Sequence, residues 1–155
     1  MKYQNKGDEM KEELDFDDSF DQMMDLAIKV NARAREMLPF AKKGISPIQW
    51  CADFCTISID PGRATGKTSY IRRHAIETDI VIVKNMLMLR QTQPFVPCKV
   101  FIENEIPKRL YGLDLSKTEI VYIDEAHYYA DRLWISSLYK FFIPRDTDAL
   151  FIRMG

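Results

Sequence analysis

The chain has 155 residues, 46% of them hydrophobic and 29% charged, with a formal net charge of −1. That length suits one domain with a proper core, and the composition is that of an ordinary globular protein. The balanced charge excludes a globally polybasic nucleic-acid binder, no apolar run approaches membrane-spanning length, and the acidic start is no signal peptide.

The chain opens on an acidic run, "GDEMKEELDFDD", expected to be a solvated start. From Ser19 the pattern becomes helical, with Phe20, Met23, Met24, Ala27, Val30, Ala34 and Leu38 assigned to one face. Aspartates at its beginning and Lys29, Arg33 and Arg35 towards its end suit the helix dipole, and Pro39 terminates it. Arg33, Arg35, Lys42 and Lys43 read as a solvated helix end rather than a nucleic-acid patch. Residues 1–44 are thus an N-terminal acidic and helical extension, and residues 45–155 the main domain. Cys51, Cys55 and Cys98 lack metal-ligand companions at the right spacing and read as buried, reduced thiols.

"ISPIQW" precedes a short β-branched run, "FCTISI", that reads as a buried parallel strand. Gln49 is either a reader of the adenine edge or a surface residue on a short helix. After the strand comes "DPGRATGKT", then "TSYIRRHAIE", a helix with Tyr70, Ile71, Ala75 and His74 assigned to its inner side. "DIVIVK" is a second strand, and "NMLMLRQTQ" a short helix whose methionines and leucines are expected in the core. "CKVFIE" is a third strand at the sheet periphery, because prolines flank it. "IPKRLYGLDL" is a helical turn and loop, "EIVYIDEAHYY" a fourth strand, and "DRLWISSLYKFF" a helix carrying Leu133, Trp134, Leu138 and Phe141. "DALFIRMG" supplies a last strand, Ala149 to Met154.

Two of these stretches carry chemistry. The usual phosphate loop is Gly-x-x-x-x-Gly-Lys-Ser/Thr between a strand and a helix. Here Pro61 stands at the first glycine position, Gly62 follows it, and Gly66-Lys67-Thr68 completes the pattern. Strand, glycine loop and helix are the context in which backbone N–H groups and a helix N-terminus surround an anion. Lys67 would reach the β- and γ-phosphates, and the Thr68 hydroxyl would bind Mg²⁺. The second stretch, "IVYIDEAH", ends a buried strand in two consecutive carboxylates, which demands an explanation because unpaired buried acids are costly. A phosphate-loop ATPase supplies one: Asp124 holds the Mg²⁺ shell opposite Thr68, and Glu125 orients or deprotonates the attacking water. In that arrangement one strand intervenes between the phosphate-loop strand and the aspartate strand, and Ala149 to Met154 is the natural candidate. Arg153 or Met154 would then sit at its carboxyl edge.

Gly62-Arg63-Ala64-Thr65-Gly66-Lys67-Thr68 resembles the deviant phosphate loop of viral large terminase subunits, the ATP-driven DNA-packaging motors. Arg63 matches the arginine inside those loops, which acts in cis on the γ-phosphate. "IVYIDEAH" resembles the apolar-Asp-Glu motif of the same motors and of DEAH-type helicases, and Gln49 is similar to the adenine-reading glutamine of both. The likeness covers about residues 45–155 in arrangement, carried by short motifs. It implies a three-layer α/β P-loop NTPase of RecA/ASCE-like type, with a mainly parallel sheet, ATP as substrate and Mg²⁺ as cofactor. Gln49, Gly62, Arg63, Ala64, Thr65, Gly66, Lys67, Thr68 and Ser69 would contact nucleotide, Thr68 and Asp124 the metal, with Glu125, Lys67 and Arg63 catalytic. The implied partner is double-stranded DNA, in a homo-oligomeric ring or with a partner subunit, and the implied location is the cytoplasm, a host's if the protein is viral. Arg132 and Arg145 are nominal candidates for an arginine supplied to a neighbouring site. Neither a nuclease domain nor a second RecA-like domain follows Gly155, so the expectation is a fragment of a longer motor or a minimal ATPase that works with partners.

"IDEAHYY" also resembles the Asp-Glu-Ala-x-aromatic-aromatic stretch of thymidine kinases that use a phosphate loop. There Glu125 would be the base for a nucleoside hydroxyl. That family's loop normally lies near the N-terminus, and its cysteine-bound zinc lobe is missing here. A third reading is a nucleotide-binding module without turnover; the presence of Glu125, which such a module does not need, favours catalysis.

Overall fold

The computed structural model describes residues 16–38, 41–62, 66–125, 132–143 and 149–155. Five short strands form a single sheet: β1 (Thr56–Ile59), β2 (Ile80–Val83), β3 (Lys99–Ile102), β4 (Ile120–Asp124) and β5 (Leu150–Met154), in the order β1-β5-β4-β2-β3. Every pairing is parallel. A parallel sheet needs crossovers that cover both of its faces, so its strands read as continuous apolar runs. β2 is the clearest case, with all four of its residues buried. The last strand does lie between β1 and β4, and β3 does lie at the edge.

Side-chain alternation divides the core in two. On one face Ile80, Ile82, Val121, Ile123 and Phe151 pack against α3 (Pro47–Phe54) and α6 (Arg132–Phe142), through Trp50, Cys51, Leu138, Tyr139 and Phe142. On the other, Ile57, Val81, Tyr122, Ile152 and Met154 pack against α1 (Phe16–Met37) and α4 (Lys67–His74), through Phe20, Met24, Tyr70 and Ile71. Met88 and Leu89 of α5 (Met86–Thr92) lean on this second cluster. A single turn, α2 (Ala41–Gly44), precedes α3. The protein is therefore an α/β structure with helices on both faces of a five-stranded parallel sheet. All three cysteines are buried.

Local chemistry sets several of these boundaries. Ser46 caps α3 by accepting the Gln49 N–H at 3.2 Å, and Pro47 occupies the first turn, where a missing N–H costs nothing. Asn85 caps α5 by accepting the Met88 N–H at 3.0 Å. Asp79 accepts the N–H groups of Ile76 at 3.0 Å and Ile120 at 3.1 Å, tying the start of β2 to the start of β4.

Three helix faces differ from the sequence expectation. In α1, Phe20 and Met24 are buried, but Met23, Val30 and the following Leu38 are exposed, Val30 by 61%. The contact stripe instead runs through Asn31, whose amide donates to the Phe54 carbonyl at 2.8 Å, a polar contact that hydrophobic periodicity does not register. In α5, Met86 and Leu87 are exposed, Met88 and Leu89 pack partly inward, and Thr92 is buried. In α6 the buried residues are Ile135, Leu138, Tyr139 and Phe142, while Leu133 is exposed. Of the four residues noted in the sequence, Leu138 is buried and Trp134 and Phe141 pack partly against the same core, but the most buried stripe is offset from them because Phe151 draws Tyr139 and Phe142 into edge-on ring contacts at 4.8 and 5.2 Å.

α4 is also shorter than expected, ending at His74, and Ala75 turns into extended backbone. His74 is not on the inner side: it stacks on Tyr70 and meets Asp21 of α1 at 3.1 Å. Arg73 donates to the same aspartate at 2.6 Å, so α1 is clasped to α4 as well as packed beneath it. Burial tends to raise the Asp21 carboxyl, but the hydrogen bonds from Arg73 and His74 outweigh it and hold the group below the usual carboxylate range.

Candidate nucleotide site

β1, β5 and β4 end side by side at the carboxyl edge of the sheet, and the N-terminus of α4 starts from the same edge. In open parallel α/β sheets this edge is where ligands bind. After Ile59 the chain leaves β1 through Asp60, Pro61 and Gly62. Gly62 has φ +99° and Gly66 φ +90°, left-handed values that cost a side-chain-bearing residue about 1–2 kcal/mol. A Cβ on Gly62 would meet nothing within 4 Å, so backbone conformation rather than space requires glycine there. Gly66 then caps α4, its carbonyl accepting the Tyr70 N–H at 2.8 Å.

Lys67, the first helical residue, is only 9% exposed. Its Nζ donates to the carbonyl of Gly155 at 2.7 Å and stands 3.6 Å from Oδ1 of Asp60. Gly155 is held in place because its N–H donates to the Ile59 carbonyl at 3.0 Å, extending the β1–β5 ladder past Met154. One residue on, Thr68 Oγ1 donates to Asp124 Oδ2 at 3.0 Å. Asp124 closes β4 and is 1% exposed; burial pushes its carboxyl up, the Thr68 bond opposes that, and the neighbouring Glu125 charge adds to it. Alternation puts Asp124 on the sheet face that α4 covers, the same side as Tyr122. Glu125 donates its N–H to Asp124 Oδ1 at 3.0 Å and takes φ +59°, an uncommon conformation for a residue with a side chain.

Two buried acids thus have opposite characters. Asp79, at the amino edge of the sheet, spends its oxygens on two backbone N–H groups and has a structural explanation. Asp124 faces a hydroxyl at the carboxyl edge, beside a buried ammonium. A carboxylate and a hydroxyl are hard oxygen donors, which suits Mg²⁺, an ion that takes one or two protein ligands and leaves its other positions to phosphate and water. No group of three His, Cys, Asp or Glu side chains gathers among the described residues, so no all-protein metal cage is formed by them.

The structure brings together Gly66, Lys67, Thr68, Asp124 and Glu125, with Gly62 at the mouth of the loop. Ser69 follows on α4, half-buried. Arg63, Ala64 and Thr65 lie outside the described residues, as do Arg145 and the side chain of Arg132. Gln49 is exposed on α3, where its amide donates to Asp53 at 2.8 Å. Arg153 is half-buried and Met154 fully buried, paired in register with Ile123 and Asp124 respectively. Sequence reasoning missed Asp60 and the carbonyl of Gly155. The signal for Asp60 was legible: it follows β1 directly, as Asp124 closes β4. Nothing in the sequence marks a main-chain carbonyl.

No protein-family model matches the chain, and no curated protein matches it significantly.

Proposed function

We propose that this chain is a P-loop ATPase of the three-layer RecA/ASCE-like type, hydrolysing ATP with Mg²⁺ as the motor domain of a terminase-like or helicase-like machine acting on DNA. One observation carries the reading: the hydrogen bond from Thr68 at the head of α4 to Asp124 at the end of β4. It joins the two stretches picked out independently in the sequence, at a separation of 3.0 Å that is compatible with two oxygens serving one Mg²⁺. The place of β5 between β1 and β4 supports the same reading.

In this mechanism Lys67 and the loop N–H groups bind the β- and γ-phosphates, and the helix N-terminus adds its partial positive charge. Thr68 and Asp124 would hold Mg²⁺, which when bound neutralises charge developing between the β- and γ-phosphates. Glu125 accepts a proton from the attacking water; the water oxygen bonds to the γ-phosphorus as the bond to the bridging oxygen breaks, and ADP leaves with that electron pair. Arg63 would add positive charge near the γ-phosphate, as its resemblance to the in-loop arginine implies. A ring of copies or a partner subunit would complete the motor.

Phosphate release from ATP, with and without double-stranded DNA and with thymidine as a competing acceptor, tests the reading. DNA-stimulated release is expected. Glu125→Gln should bind ATP yet lose most turnover, and Lys67→Ala should lose tight binding. Transfer of phosphate to thymidine would replace the motor with a nucleoside kinase, and undiminished hydrolysis by Glu125→Gln would remove that residue from the chemistry.

A further inference from the structure

We infer that Asp60 is an internal competitor for phosphate and sets the nucleotide affinity of this site. The inference rests on the ATPase reading above. On that reading the Lys67 ammonium receives a phosphate oxygen, and the N–H of Gly62 stands at the opening of the same loop. Both already face the same atom: Asp60 Oδ1 accepts the Gly62 N–H at 3.2 Å and stands 3.6 Å from Lys67 Nζ. Asp60 therefore makes two contacts of the kind that an incoming phosphate would make.

The arrangement has electrostatic consequences. Lys67 is a nearly buried cation, and an ammonium withdrawn from water needs acceptors. The Gly155 carbonyl supplies one and the Asp60 carboxylate a nearby counter-charge, so the lysine is satisfied with no ligand present. A triphosphate must take over from Asp60, and the displaced carboxylate remains close to a highly charged anion. Its own side chain is 61% exposed, so it can swing into solvent without unpacking the core. Binding becomes an exchange of anions on one lysine rather than the filling of an unpartnered positive site. A carboxylate at this position thus lowers affinity without removing any group that contacts nucleotide.

The deciding substitution is Asp60→Asn. The amide oxygen still accepts the Gly62 N–H, so the turn survives while the charge disappears. Calorimetric titration with MgATP and with MgADP, on wild type and Asp60→Asn, should give roughly 3- to 10-fold tighter binding for the variant, the scale of one partly exposed charge against a polyanion. The gain should shrink as salt is raised. Loss of a merely structural residue would not tighten binding. Equal or weaker binding by Asp60→Asn, with wild type binding normally, would overturn the role of Asp60 and leave the ATPase site standing. Failure of both wild type and Asp60→Asn to bind either nucleotide would overturn the site reading and this inference with it.

Discussion

Thr68→Val is the most direct probe of the site, because it keeps the shape of the side chain and deletes one donor. Asp124 is 1% exposed and takes the Thr68 hydroxyl at 3.0 Å, with the Glu125 N–H on its other oxygen at the same distance. Valine leaves Oδ2 of this nearly buried carboxylate opposite a methyl group in place of its hydroxyl donor. A hydrogen bond to an ionised group contributes about 1.5–3 kcal/mol, and threonine and valine differ little in helix propensity. Urea unfolding at pH 8 should therefore show a loss of about that size, or roughly 3–12 °C in Tm for a chain of this length. A double-mutant cycle with Asp124→Asn isolates the pair and should return a coupling of about 1–2 kcal/mol. The same proteins then test function. At 100 times Kd, MgATP should stabilise wild type by about 2.7 kcal/mol, and Thr68→Val should lose most of that increment. A variant within about 0.5 kcal/mol of wild type, with no coupling in the cycle, would refute the geometry. Full MgATP stabilisation of the variant would refute the role assigned to Thr68.

Other consequences follow from the packing and charge. Phe151 is 1% exposed on the interior strand β5, between Tyr139 and Phe142, so Phe151→Ala should lose about 3–5 kcal/mol in urea unfolding; a loss under about 1 kcal/mol would mean that α6 does not pack there. Asp21 has a lowered folded pKa, so its clasp on α4 contributes fully above the unfolded carboxylate value near ~3.9 and is lost as pH falls through the lower folded value. The Tm difference between wild type and Asp21→Asn should thus narrow as pH falls below the unfolded carboxylate value and through the lower folded one, and a constant difference would dissolve the pair. Glu125→Gly should relieve the positive φ and stabilise the protein by up to about 1 kcal/mol while abolishing hydrolysis, separating fold from chemistry; a destabilised variant would mean that Glu125 contacts outweigh the backbone cost.

How far the sequence alone could reach depended on the kind of interaction. Strands buried on both faces need unbroken apolar runs, so "DIVIVK" and "IVYID" announced β2 and β4 without any tertiary information. Gly66-Lys67-Thr68 and Asp124-Glu125 were equally legible, since left-handed backbone and a buried carboxylate restrict residue choice wherever they occur. Helix faces were not. Which side of α1, α5 or α6 is buried depends on what lies across from it, and a polar contact such as Asn31 with the Phe54 carbonyl carries no periodic signature. The order β1-β5-β4 could be anticipated only by assuming a phosphate-loop arrangement; the pairing itself brings together residues distant in sequence. Tertiary structure alone decided that Lys67 meets the Gly155 carbonyl and Asp60. A long flexible side chain at a helix start reaches many acceptors, and only the folded sheet edge determines which ones stand within hydrogen-bonding or ionic reach.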